Sequence, residues 1–109
     1  DARVAAVNGM AGALRSGAAS VNARWLATGS NTSVEVVLQG QAAGTGVVVA
    51  GGIPTGTAAG IGRALQSIDG FTADYTTPTA VTFSPNNSAT CAAIYNGTTG
   101  VVTTTTTAC

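Results

Sequence analysis

The chain has 109 residues, enough for one small domain, with four Arg balanced by four Asp or Glu, no Lys, no His and a net charge of zero. Only 7% of its residues are charged and 45% are hydrophobic, a balance that excludes disorder, which goes with low hydrophobicity and high net charge. It also argues against DNA binding by the isolated domain, because four arginines offset by four acids release few counterions.

Over residues 1–27, Val4, Val7, Ala11, Leu14, Ala18, Val21 and Trp25 recur at intervals of three and four, which predicts one long amphipathic helix. Asp1 suits the positive end of its dipole, and Thr28-Gly29-Ser30-Asn31 supplies a stop. The roughly opposite face carries Ala2, Ala6, Gly9, Ala13, Ser16, Ser20 and Ala27, all small, and nothing long and charged shields it. Two readings stand: a face for close approach of another backbone, or the general alanine and glycine bias of the chain. Gly9, Gly12 and Gly17 inside the helix each cost about 1 kcal/mol relative to Ala, so packing has to offset them.

After the helix the period shortens. Residues 33–38 and 45–50 read as two strands of a hairpin joined by the loop 39–44, followed by a break at Gly51-Gly52-Ile53-Pro54. Thr57 is placed to cap a short helix running to Ile68, with Ile61, Leu65 and Ile68 on one side and Asp69-Gly70 at its end. Residues 71–76, 80–84 and 92–96 read as strands separated by Pro78 and by Pro85-Asn86-Asn87-Ser88. Gly97-Thr98-Thr99-Gly100 then leads into a last strand over 101–106. A helix followed by successive hairpins is α+β: a single domain, 1–109, in which the helix docks on an antiparallel sheet through Val4, Val7, Leu14, Val21 and Trp25.

Without histidine no Ser-His-Asp or Cys-His nucleophile pair can be built. Asp1, Glu35, Asp69 and Asp74 have no spacing that favours a carboxylate pair, and Asp69 and Asp74 read as solvated turn and strand-edge residues. The glycine-rich stretch 51–62 lacks the lysine of a phosphate-binding loop, and no metal-ligand spacing is present, so no cofactor is implied. Cys91 and Cys109, an even count in a lysine-free, threonine-rich chain, fit a disulfide in an oxidising compartment, with two reduced thiols as the alternative. Asn31, Asn86 and Asn96 head formal glycosylation sequons of the kind that arise readily by chance in such a chain.

The segment from Asp1 to Ser16, the Gly52-Ile53-Pro54-Thr55 element ahead of Gly60-Ile61, and the terminal Cys91 and Cys109 together resemble the type IV pilins, most closely the mannose-sensitive-haemagglutinin type. Ile53 departs from the tyrosine of that family's element. The resemblance covers nearly the whole chain and implies a pilin-like α/β-roll with a disulfide-bounded carboxyl-terminal region. It further implies a missing amino-terminal hydrophobic segment that anchors the subunit in the inner membrane before assembly. The function it implies is that of an extracellular filament subunit for adhesion, motility or DNA uptake, not an enzyme. Its partners are then other copies of itself, other pilins and the pilus assembly machinery. Within the same resemblance, a minor pilin acting as an adhesin or DNA-binding tip module and a type II secretion pseudopilin are the alternatives.

Overall fold

A computed structural model of the chain describes residues 2–27, 34–38, 41, 44–65 and 67–109. Helix α1 runs over Ala2–Ala27, and its 26 residues make it about 39 Å long. Its length matches the longest dimension of the molecule, which measures 43 × 24 × 20 Å. Most of the expected stripe is buried: Val7, Ala11, Leu14, Val21 and Trp25 are buried and Ala18 is half-buried against the larger core, whereas Val4, expected to dock on the sheet, is half-buried one turn beyond the cores and belongs to neither. Arg24 in the last turn complements the negative end of the dipole. Asp1 and the stop at 28–31 lie outside the described residues, as do the first sequon and most of the loop at 39–44.

The strands are β1 (Glu35–Val36), β2 (Val47–Ala50), β3 (Ile53–Pro54), β4 (Thr72–Asp74), β5 (Val81–Ser88), β6 (Cys91–Tyr95) and β7 (Val102–Thr105). All pairings are antiparallel. They form two sheets, β1-β2-β3 and β4-β5-β6-β7, where the sequence pattern led us to expect one. Size gives the reason, since a five-residue strand spans only about 17 Å and cannot cover a helix more than twice as long. The helix therefore seals two cores with one stripe. Val7, Met10, Ala11 and Leu14 pack with Val81, Phe83, Ala93, Tyr95 and Val102 of the larger sheet. Val21 and Trp25 pack with Val36, Val47 and Val49 of the smaller one.

Three expected boundaries shift. The break at Gly51–Pro54 is instead a tight hairpin: Gly51 and Gly52 take φ of +61° and +83°, as a two-residue turn of the primed kind requires, and Ala50 pairs with Ile53. The second helix, α2, is only Ile61–Ala64, because Leu65 is already extended with ψ 140°. The Thr57 hydroxyl does not cap it; it accepts the Gly60 N–H at 2.9 Å in the turn before the helix. Leu65 and Ile68 still pack against the larger core, so their burial serves an extended segment. Finally, Pro85–Ser88 is not a turn but the end of β5, with the pairing jumping from Phe83↔Ala93 to Ser88↔Cys91. The buried Ser84 hydroxyl organises this bulge by accepting N–H bonds from Asn86 (3.2 Å) and Ser88 (2.9 Å) and donating to Asn86 Oδ1 (2.9 Å).

One link closes the larger half on itself and another ties the two halves together. Cys91 and Cys109 form a disulfide across 18 residues of sequence, and in the chain-entropy picture a loop of that size is worth about 3 kcal/mol. Tyr95, on the larger sheet, donates its phenol to the carbonyl of Pro54 on the smaller one at 2.6 Å. Burial pushes the Tyr95 phenol up to about 12 from an ordinary 10. The folded state thus holds this proton more tightly than the unfolded chain does. Its stabilisation is complete below about pH 10 and is lost as pH rises through 12. Tyr95→Phe leaves the Pro54 carbonyl without its donor and is expected to destabilise the fold by about 1–3 kcal/mol at neutral pH. It should also flatten the fall in stability between about pH 10 and 12, which denaturant titrations across that range would register.

Candidate functional site

At 100° per residue, Ala2, Ala6, Gly9, Ala13, Ser16 and Ser20 fall on one side of α1, about 150° from the buried stripe. All of them are exposed except Ala6, which is half-buried, and Ala27 continues the exposed line. Apart from Leu26, which is 60% exposed, the helix thus turns its large apolar side chains inward and presents almost no side-chain bulk on this face. A Cβ added at Gly9 or Gly12 would meet nothing within 4 Å, so neither glycine is required by the subunit's own packing. The face is not unshielded throughout, as its composition led us to expect: Arg24 stands exposed between Ser20 and Ala27, one turn from each. The bare region ends at Ser20.

Gly17 differs from the other two helical glycines. A Cβ there would sit 2.9 Å from the Ala64 carbonyl oxygen, so this glycine admits α2 against the helix. Beside that contact a groove of about 710 Å³ opens, with Ala13, Ser16 and Ser20 on one wall and Leu38 and Leu65 on the other. Its two long polar side chains, Arg63 and Gln41, are already engaged. Arg63 donates to the Gly46 carbonyl at 3.0 Å, and Gln41 accepts from Leu38 N–H at 2.9 Å and donates to the Arg63 carbonyl at 3.3 Å.

The groups with acid–base chemistry are scattered. Asp74 and Asp69 are exposed, the first on β4 and the second in a turn, and Glu35 on β1 accepts the Gly44 N–H at 3.2 Å. The Thr76 hydroxyl, and then its backbone N–H, hold the Asp74 carboxyl below its ordinary value. Among the described residues no three His, Cys, Asp or Glu side chains gather as metal ligands would. The glycine-rich stretch serves close packing: a Cβ on Gly56 would collide with the Pro78 carbonyl, and one on Gly60 with Thr55. Met10 is a core residue absent from the expected stripe, although its position three residues after Val7 and four before Leu14 was the available signal.

No family model, curated protein or solved structure matches the chain. Geometry and sequence pattern therefore carry the functional reading between them.

The two kinds of helical glycine give a direct check. Gly9→Ala is expected to stabilise the fold by up to about 1 kcal/mol, since it gains helix propensity and meets no neighbour. Gly17→Ala has to displace α2 and is expected to lower stability, by about 1–3 kcal/mol from overpacking less the propensity gain. Thermal unfolding of both variants should place one above and one below the parent; equal shifts would mean that α2 does not pack where described.

Proposed function

We propose that this protein is a structural subunit of a type IV pilus, with a pilin-like α/β-roll whose helix is the assembly element. The observation that carries the reading is the bare helix face from Ala2 to Ser20, exposed along a helix whose opposite side is fully committed to two sheets. Exposed glycines in a helix interior destabilise the lone subunit by about 1 kcal/mol each and gain nothing there. They do permit two helix backbones to approach closely, as small-residue helix contacts require. A long helix beneath antiparallel sheets, with the carboxyl-terminal strand held by Cys91–Cys109, is the arrangement that the resemblance implies.

In this reading the helices of successive copies pack in the interior of a filament and the sheets form its outer wall. The contact joins different surfaces of neighbouring copies, so the operation does not close and generates an open helical polymer. The near absence of charge serves such crowding, because copies with few charged side chains and no net charge stack without strong mutual repulsion. An apolar segment ahead of Asp1 would anchor the subunit in the inner membrane before the assembly machinery adds it to an extracellular filament.

Replacing both Gly9 and Ala13 by Leu fills the face without touching the core, since both positions are open. This double variant is expected to keep the circular dichroism of the parent domain and to unfold no lower than it, as the loss of a helical glycine implies, while filaments disappear from electron micrographs of the producing cells. Filaments of normal length and number would refute the assembly role of this face.

A further inference from the structure

An exposed sheet edge offers unpaired backbone N–H and C=O groups to any other strand, and proteins usually blunt such edges with charge, proline or brevity. Three of the four edges here are blunted. Strand β1 pairs over two residues and carries Glu35, β3 is two residues long and includes Pro54, and β4 is three residues long and carries Asp74. Strand β7 is the longest of the four at four residues and the edge strand with neither a charged residue nor a proline of its own, its outward Val102 carbonyl alone meeting Arg15 of the helix. It occupies the outer position of the larger sheet, and the run Val101–Thr107 around it consists of two valines and five threonines, with no charge, Gly or Pro.

The register shows which groups are free. The Asn96 N–H donates to the Val101 carbonyl at 3.0 Å, and Tyr95 lies opposite Val102, so Val102 and Thr104 direct their backbone groups away from β6. The Val102 carbonyl accepts a 3.3 Å bond from Arg15. Among the described residues nothing pairs with the N–H or C=O of Thr104, which is exposed.

The geometry points to β7 as a self-association edge, where the β7 strands of two copies pair antiparallel about a two-fold axis at Thr104. The second copy is the occupant that the sequence fits best. All seven residues of the run are β-branched and favour strand, and pairing the run with itself brings no like charges together. Centring on Thr104 sets threonine opposite threonine and brings Val102 opposite Thr106 of the second copy. The contact closes as an isologous pair. It is also independent of the helix face proposed for assembly, because Val102 packs on the buried side of α1. So short a ladder covers far less surface than a standard interface, which makes the pairing weak and dependent on concentration.

Sedimentation of the intact, disulfide-bonded chain is expected to show dimers with a Kd of about 0.1–1 mM, and exchange of the Thr104 amide should slow as concentration rises through that range. Thr104→Lys puts a charge on each side of the axis, and Thr104→Pro removes the central donor; each is expected to raise the Kd about tenfold or more. A chain that stays monomeric to about 1 mM, dimers that leave Thr104 exchange unchanged, or a folded Thr104→Lys variant that dimerises like the parent would each overturn the inference. Exchange on the unaltered chain decides the question even where a variant does not fold.

Discussion

Burial of one helix stripe against two separate sheets is the constraint from which the rest of this molecule follows. Val7, Met10 and Leu14 close the larger core and Val21 and Trp25 the smaller. Each such side chain is worth about 1.5–3 kcal/mol when taken fully out of water. The short α2 and the stretch after it to Ile68 add only Ile61, Ala64, Leu65 and Ile68 to the two cores, so removing the long helix would expose much of the inner face of both sheets. The helix is long because it covers two sheets, and the small-residue face away from them is left over.

Polar side chains do the local work that charge does in most proteins of this size. The Ser84 hydroxyl holds a bulge, the Asn96 side chain accepts the N–H groups of Thr98 and Thr99 in the turn before β7, and the Tyr95 phenol joins the two sheets. Among the described residues no buried side-chain nitrogen or oxygen lacks a hydrogen-bond partner. With only four arginines and four acids in the chain, its surface can approach other neutral surfaces while separating few charges.

The sequence made the helix and the α+β class legible because the apolar stripe persists for seven positions, long enough for periodicity to dominate composition. It also marked the small face, since seven small residues at helical spacing need no tertiary information to be seen. What it hid was non-local or side-chain specific. Gly51-Gly52 looked like an interruption because a two-residue hairpin and a loop share the same glycines. Pro85-Asn86-Asn87-Ser88 looked like a turn because the Ser84 hydroxyl replaces the ladder bonds that such residues normally break. The contact that sets Gly17 apart from Gly9 involves Ala64, 47 residues further along the chain, and the exposed position of β7 follows from strand order, which local pattern does not encode.

A helix face without side-chain bulk is stable in a lone subunit only because the opposite face is packed, and the function proposed above gives it a purpose as the place where another backbone comes against it. Electron cryo-microscopy of the filaments that the proposal expects from cells producing the protein tests that claim most directly. The account predicts an open helical filament in which Gly9, Ala13, Ser16 and Ser20 lie against helices of neighbouring copies and the sheets face solvent. A filament whose helices leave this face in contact with water, or one whose interior is built from the sheets, would contradict it.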